Sequence, residues 1–316
     1  MFSIKEKTEN GFGIIVLTDN SSGTTVEIIP ACGAVLHSFA VMHNAASLNI
    51  IDNYADKNEF EKLVEDKGFK SCKLSPFVCR MENGRYHFGK ENYKIEKFYL
   101  GRDAIHGLLY DAAFEITEKN AGEQNAFVEM KYSYRANDKG YPFYYDCLVR
   151  YELQSKNKLM VKTTIINKDK GHIPVCDGWH PYFSFGGSIN DLKLEFQSRE
   201  ILEFDAELIP TRKLIPYQRF GSLKKIGDTF FDNCFSLNFA ECQPMLVLRD
   251  VAKGIQLEVY PETSYPFLQI YTPSHRQSIA IENLSAAPDA FNNAIGLITL
   301  SPGDKTVFST AYKISV

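Results

Sequence analysis

A histidine and a glutamate are the residues of this sequence best suited to transferring protons. His180 lies in Gly178–Phe183 (GWHPYF), where Pro181 restricts the histidine before it to an extended conformation. Glu282 ends the alternating apolar run that opens Ser278–Asn292 (SIAIENLSAAPDAFN), and partial desolvation there would raise its basicity. Imidazole and carboxylate groups are frequent general acids and bases. The structural alternatives are a core histidine and a sheet-edge glutamate in water.

Two further segments contain polar groups that suit a hydroxyl-rich ligand. Arg80, in Ser75–Tyr93 (SPFVCRMENGRYHFGKENY), presents a planar fork of donors that matches vicinal hydroxyls or a carboxylate. His106 is followed by Gly107, and a glycine beside a histidine lets a ligand approach the backbone closely. The alternatives here are an exposed or ion-paired arginine and a histidine bonded to a neighbour. Taken singly, the four segments leave the function open.

The elements that must position these residues are predicted to be β-strands. Short runs rich in Val, Ile, Tyr and Phe recur between turn residues, and no helix separates them. The predicted strands include Phe127–Arg135, Cys147–Leu153, Leu159–Ile166, Met245–Arg249, Ile255–Tyr260, Phe267–Thr272, Ser278–Glu282, Ala294–Leu300 and Thr306–Ile314. This succession predicts an all-β fold of antiparallel sheets packed face to face. Without a linker or internal repeat, a single β-sandwich domain over residues 1–316 is the simplest organisation.

Helix is predicted at only two places. Asp56–Lys67 puts three apolar side chains on one face, and Gly68 follows as a possible C-terminal cap. A single helical turn is predicted after Pro288, in the sequence PDAFNN. The chain therefore offers little helix on which to build a site.

Composition and charge exclude several classes of function. Of the 316 residues, 44% are hydrophobic and 23% charged, ordinary values for a globular protein, and a net charge of −4 provides no basic field for nucleic acid or an anionic membrane. Met1–Phe12 contains no apolar signal region, and no stretch approaches the roughly 20 apolar residues of a membrane helix, so we expect a cytoplasmic protein. The seven cysteines are scattered and lack a CxxC pair, which predicts neither a disulfide framework nor a zinc site.

In their order along the chain, these segments resemble the aldose 1-epimerase (galactose mutarotase) family. The resemblance extends over nearly the whole sequence through Val26–Phe39 (VEIIPACGAVLHSF), Arg80 with the hairpin GRYHFGKENY, His106–Gly107, Gly140–Pro142, His180–Phe183, Phe267–Thr272, Glu282 ahead of PDAFN, and Leu300–Gly303. Each motif is short, and the resemblance rests on their order and spacing. Two departures bear on substrate identity: Leu108 replaces a frequent second glycine, and Asp177–Trp179 replaces an asparagine-rich approach to His180.

The resemblance implies a galactose mutarotase-like β-supersandwich with a pocket on a concave sheet face. It implies that Glu282 is the general base and His180 the general acid of a sugar epimerase. The residues that match substrate-binding positions of the family are His106, Arg80, Asp232 (in Phe231–Leu237) and Gln269. The partner implied is a small-molecule aldohexose, handled by a monomer or homodimer.

The implied reaction, interconversion of α and β anomers, needs only proton transfers. A base removes the proton of the C1 hydroxyl while an acid protonates the ring oxygen, and the steps reverse after the aldehyde carbon presents its other face. Because no redox change occurs, we expect neither a cofactor nor a metal.

Three alternatives remain open from the sequence. A hexose-6-phosphate 1-epimerase would need a further cation near Arg80, for which Arg85 or Lys73 is available. A catalytically silent carbohydrate-binding protein would fit the same fold, although the acid and the base are both present. A metal hydrolase would have to use His106, His180 and Glu282 as ligands, and their separations along the chain match no short metal-binding motif.

Overall fold

The computed structural model describes all 316 residues, and β-strands make up most of its regular structure. The strands are β1 Phe2–Glu9, β2 Phe12–Asp19, β3 Thr24–Ile29, β4 Val35–His43, β5 Ala46–Asn49, β6 Lys73–Leu74, β7 Arg80–Met81, β8 Arg85–Phe88, β9 Glu91–Lys94, β10 Tyr99–Leu100, β11 Asp103–Ile105, β12 Glu115–Ala121, β13 Asn125–Arg135, β14 Tyr144–Gln154, β15 Lys158–Asn167, β16 Ile173–Val175, β17 Gly178–Trp179, β18 Tyr182–Phe183, β19 Lys193–Phe196, β20 Ser198–Phe204, β21 Pro210–Pro216, β22 Lys224–Lys225, β23 Asp232–Leu237, β24 Leu246–Asp250, β25 Ile255–Pro261, β26 Phe267–Tyr271, β27 Ile279–Leu284, β28 Ile298–Leu300 and β29 Lys305–Ser315. The helices are α1 Lys57–Leu63 and α2 Ala290–Asn293, with 3₁₀ turns at Glu82–Gly84 and Ile189–Asp191. Neither α-helix has the length and apolar content that a membrane crossing requires.

Three antiparallel sheets form the framework. The largest has nine strands in the order β12-β13-β14-β15-β29-β25-β24-β19-β22. A second has the order β21-β20-β23-β26-β27-β17-β6, with β18 paired to β27, and a third has the order β1-β2-β3-β4-β5. The all-β prediction is therefore confirmed, and β27 lies inside its sheet, flanked on both sides.

One apolar core joins these sheets. It contains 75 buried residues, among them Cys147 and Val149 of β14 in the nine-stranded sheet and Ile270 and Ile281 of β26 and β27 in the second. The alternating burial along β14 follows the alternation of its side chains, because successive residues of a strand face opposite sides of the sheet. Each fully buried aliphatic side chain contributes about 1.5–3 kcal/mol.

The strand predictions are confirmed in position, with one exception. Predicted Phe127–Arg135, for example, lies within β13, which begins two residues earlier, at Asn125. The predicted strand Ala294–Leu300 is wrong in its first half, because only Ile298–Leu300 forms a strand. Ala294 and Gly296 adopt φ values of 62° and 79°, which are incompatible with an extended chain.

Both predicted helices exist, and the first is shorter than predicted. The Asp56 side chain accepts a hydrogen bond of 2.8 Å from the Glu59 N–H, which caps the first turn of α1. The helix ends at Leu63 rather than Lys67, and the chain then turns through Gly68 at a φ of 76°. The turn after Pro288 is α2.

Candidate active site

All six predicted site residues line one cleft on the face of the second sheet. The cleft has a volume of about 260 Å³. The six side chains are those of Arg80 in β7, His106 at the end of β11, His180 at the end of β17, Asp232 in β23, Gln269 in β26 and Glu282 in β27. The structure therefore brings together residues from distant parts of the sequence.

Glu282 lies in the interior of the sheet. It is directly opposite Gln269 of β26, and β27 continues beyond it to Leu284. The expectation that Glu282 ends its strand is wrong, because the ladder to β26 extends two residues further. The alternative of an edge glutamate in water is also wrong, since β27 has neighbours on both sides and Glu282 is only 1% exposed.

His180 is held directly beside Glu282. Its backbone N–H donates to the Cys72 carbonyl (3.1 Å) and its carbonyl accepts from the Ser71 N–H (2.9 Å), which stabilises the extended conformation that Pro181 requires. His180 Nε2 lies 3.3 Å from Glu282 Oε1. The two groups thus contact each other directly, because β17 and β27 are adjacent strands.

Burial shifts the pKa values of Glu282 and His180 in opposite directions. It raises the pKa of Glu282 well above the ordinary value, and the nearby Asp232 carboxylate adds to the effect. It lowers the pKa of His180 to about 4, because desolvation disfavours the imidazolium. Opposite shifts of this kind are typical of acid–base pairs in active sites.

His106 contacts the other histidine at a right angle. The ring centroids of His106 and His180 are 4.8 Å apart, and those of His106 and Phe69 are 4.7 Å apart. His106 adopts a φ of 60°, uncommon for a residue with a side chain, and its N–H donates to the Cys79 carbonyl. Burial, His180 and Arg80 together hold the pKa of His106 well below its ordinary value, so the ring is neutral at pH 7.

Gly107 serves the packing of the chain rather than the approach of a ligand. It has a φ of 79°, and a Cβ placed on it would lie 2.3 Å from the Ser75 carbonyl oxygen. The expectation that this glycine opens the backbone to a ligand is therefore wrong. Only glycine lets this loop pack against Ser75.

Asp232 and Gln269 form a polar pair on neighbouring strands. Gln269 Nε2 donates to Asp232 Oδ1 at 2.9 Å. Burial raises the pKa of Asp232, with Arg80 opposing the shift. Gln269 Oε1 and the Nδ1 atoms of His106 and His180 are buried without a hydrogen-bond partner. Because buried polar atoms are normally paired, these three atoms mark the places in the site where a hydrogen-bond partner is missing.

The charge of the cleft is predominantly acidic. Arg80 is the one Lys or Arg side chain among its lining residues, which include the carboxylates of Glu65, Asp66, Asp232 and Glu282. No group of three or more His, Cys, Asp and Glu side chains is arranged to hold a metal ion.

The two cations considered for phosphate lie outside the cleft. Arg85 lines a separate surface depression with Lys94 and Arg102. Lys73 is completely buried, with Nζ 2.5 Å from Asp177 Oδ1 and 4.5 Å from the centre of the Trp179 ring. Neither residue is available beside Arg80.

Several lining residues were missed by the sequence analysis. Tyr182 stacks on the His180 ring at 5.2 Å, and Tyr271 follows Gln269 by two residues. The alternation of side chains along an extended segment would have indicated both, since each is two positions from a predicted residue. No local signal indicates Cys79, which lines the cleft wall at a φ of 50°.

Comparisons with known proteins agree with this architecture. A model of the family described as Aldose 1-epimerase matches residues 14–313. The chain is similar to the uncharacterized protein YihR of Escherichia coli K12, at 26% identity over 237 residues, 73% of this chain and 74% of that protein.

Solved structures of the same fold cover the whole chain. One is a galactose mutarotase-like protein of Clostridium acetobutylicum (TM-score 0.88, 18% identity, 99% of this chain and 98% of the other). Another is a galactose 1-epimerase of Lactobacillus acidophilus (TM-score 0.81, 19% identity, 100% and 98%). At these identities the similarity establishes the fold, which is galactose mutarotase-like.

Proposed function

The chain belongs to the aldose 1-epimerase family, and from that premise we propose that it interconverts the α and β anomers of an unphosphorylated aldohexose. The observation that supports the proposal is the contact of 3.3 Å between His180 Nε2 and Glu282 Oε1 inside a buried cleft. The two atoms that exchange protons in this reaction, O1 and O5, are bonded to the same carbon. Two adjacent groups can therefore serve both.

Ring opening uses the pair as base and acid. The Glu282 carboxylate takes the proton of the C1 hydroxyl, the C1–O5 bond breaks, and O5 takes a proton from the His180 imidazolium. The product is the open-chain aldehyde, with a protonated glutamic acid and a neutral imidazole. After rotation about C1–C2, O5 attacks the other face of C1, and both protons return.

The pair holds the one proton that the reaction needs. The lowered pKa of His180 and the raised pKa of Glu282 favour the neutral imidazole beside the protonated carboxyl group. Transfer across their contact produces the imidazolium and carboxylate that ring opening uses. Each turnover leaves the pair with the same number of protons, so no outside acid or base is consumed.

The remaining side chains suit sugar hydroxyls. Arg80 donates to vicinal hydroxyls, and Asp232 and Gln269 accept from them. His106, neutral because of its burial, accepts or donates one hydrogen bond at the sugar without competing as a base. Tyr182 and Tyr271 provide aromatic faces.

The charge of the cleft supports an unphosphorylated substrate. A phosphate would meet one arginine and the acidic side chains of Glu65, Asp66, Asp232 and Glu282, and neither Lys73 nor Arg85 is available to compensate. Repulsion of a dianion by several carboxylates opposes binding. A hexose-6-phosphate 1-epimerase therefore has less support.

Polarimetry of freshly dissolved pure anomers tests the proposal. We expect accelerated mutarotation of α-glucose or α-galactose, corrected for the spontaneous rate, and little acceleration with the 6-phosphates. Glu282→Gln should lose the acceleration, whereas Glu152→Gln should keep it, because Glu152 bonds to Arg150 on the nine-stranded sheet, outside the cleft. Sugar binding without acceleration would favour a silent carbohydrate-binding protein instead.

A further inference from the structure

Cys79 occupies a strained backbone position in the wall of the cleft. Its φ of 50° lies in the left-handed region, which residues with a Cβ seldom adopt and glycine adopts freely. The residue is 8% exposed and precedes Arg80. Strained conformations concentrate at functional sites, where the surrounding structure maintains them.

The strain places the thiol against the second oxygen of the glutamate. Cys79 Sγ lies 4.0 Å from Glu282 Oε2, within reach of a sulfur hydrogen bond, while Oε1 faces His180 at 3.3 Å. The Cys79 carbonyl also accepts the backbone N–H of His106 at 2.9 Å. Each carboxylate oxygen of Glu282 thus has its own neighbour.

We propose that Cys79 is a positioning residue for Glu282, whose thiol donates to Oε2 and so orients Oε1 toward His180 and the substrate. This inference rests on the proposed function, in which Glu282 is the base. Burial, together with the Glu282 charge, raises the pKa of the Cys79 thiol well above its ordinary value. The group therefore keeps its proton at neutral pH and remains a donor, and it is a poor nucleophile.

Other groups also face Glu282 from the elements packed around it. They are Arg80 of β7, His106 after β11, His180 and Tyr182 around β17 and β18, Asp232 and Cys234 of β23, and Gln269 of β26. None of these side chains is altered by a substitution at residue 79 alone. Differences among variants at that position therefore report on the thiol.

Carbon-13 NMR titration of the Glu282 carboxyl group, assigned with Glu282→Gln, measures the contact without requiring turnover. A hydrogen bond to the carboxylate lowers its pKa, so removing the donor in Cys79→Ala should raise the Glu282 midpoint by about half to one pH unit. Cys79→Ser, which keeps a donor, should titrate at or below the wild-type midpoint. The low-pH limb of the kcat/KM profile should likewise move to higher pH in Cys79→Ala and stay at or below its wild-type position in Cys79→Ser.

A glycine variant separates positioning from folding. Cys79→Gly relieves the backbone strain, so it should keep its thermal stability while showing the same upward shift as Cys79→Ala. Cys32 is a buried cysteine in a different apolar cluster, so Cys32→Ala is the matched control and should leave the Glu282 midpoint unchanged. Identical Glu282 midpoints in wild type, Ala, Ser and Gly variants would overturn the inference. Failure of the proposed function would appear separately, as absent mutarotation in the wild type.

Discussion

The buried ion pair between Lys73 and Asp177 gives the sharpest test of how the site is supported. Both side chains are 0% exposed, and Lys73 Nζ donates to Asp177 Oδ1 at 2.5 Å and to the Gly178 carbonyl at 3.1 Å. Asp177 Oδ2 accepts from the Tyr265 hydroxyl at 2.6 Å. The pair connects β6 to the segment that leads into His180.

Removing one partner of the pair should lower the free energy of unfolding strongly, whereas removing both should lower it little. Lys73→Met leaves the Asp177 carboxylate buried without its cation, which typically costs about 3–5 kcal/mol, and full burial allows no reduction by solvent screening. The double variant Lys73→Met with Asp177→Leu removes both charges, and the loss of the ion pair itself should then leave the free energy of unfolding nearly unchanged. It also leaves the Tyr265 hydroxyl unpaired, at about 1–3 kcal/mol, so Tyr265→Phe is added to the double variant.

Urea unfolding followed by tryptophan fluorescence measures these differences. Trp179 is the one tryptophan of the chain and lies 4.5 Å from Lys73 Nζ, so it reports on this part of the core. Lys131→Met is the control, because the Lys131 side chain is 37% exposed and the buried Asp146 carboxylate keeps its hydrogen bonds from Ser133 and Arg135, so the loss should be less than about 1 kcal/mol. Equal, small losses in the Lys73→Met and triple variants would refute the reasoning, since they would mean that the buried pair is not charged.

Four further predictions concern activity and folding. His180→Asn and Glu282→Gln should each lower the turnover number about 10²- to 10⁴-fold in polarimetric assays. The double variant should lose far less than the product of the two single losses, because both residues act on one proton circuit. A loss in the double variant equal to that product would contradict this. Arg80→Ala should raise KM with kcat nearly unchanged in initial-rate measurements, if the guanidinium binds ground and transition states equally. Activity should survive exhaustive chelation, and loss restored by one metal would contradict the mechanism. Thermal unfolding should be one cooperative transition by circular dichroism and fluorescence alike if the chain unfolds as a single unit; separate transitions would indicate two units.

The fold was predictable because its signal is local. A period of two in the side chains of segments such as Phe127–Arg135 requires only the residues themselves, and the structure has strands there. The positions of Glu282 and His180 in one cleft followed from the family resemblance. Their contact could not be derived from spacing, since it depends on which strands are neighbours.

The features that the sequence did not reveal depend on long-range pairing. Glu282 looked like the end of a strand because it ends the alternating apolar run, yet the ladder with β26 extends the strand and buries the carboxylate. Lys73 was considered as a cation near Arg80, yet it is fully buried, which is rare for lysine, and only the structure places Asp177, 104 positions later, beside it. The left-handed backbone of Cys79 likewise has no local sequence signature.

Burial of Glu282 and His180 changes which of the two groups holds the proton in the proposed mechanism. At their ordinary pKa values of 4.5 and 6.5, a proton shared by Glu282 and His180 would stay on the histidine. Anomerisation requires each group to give and take a proton in the two halves of the reaction, so a strong preference for either partner slows one half. Desolvation raises the pKa of Glu282 and lowers that of His180, so the proton is favoured on the carboxyl group instead of the imidazole. The interior position of β27 in the sheet, which buries Glu282 beside His180, therefore determines which partner holds the proton between the two halves of the proposed reaction.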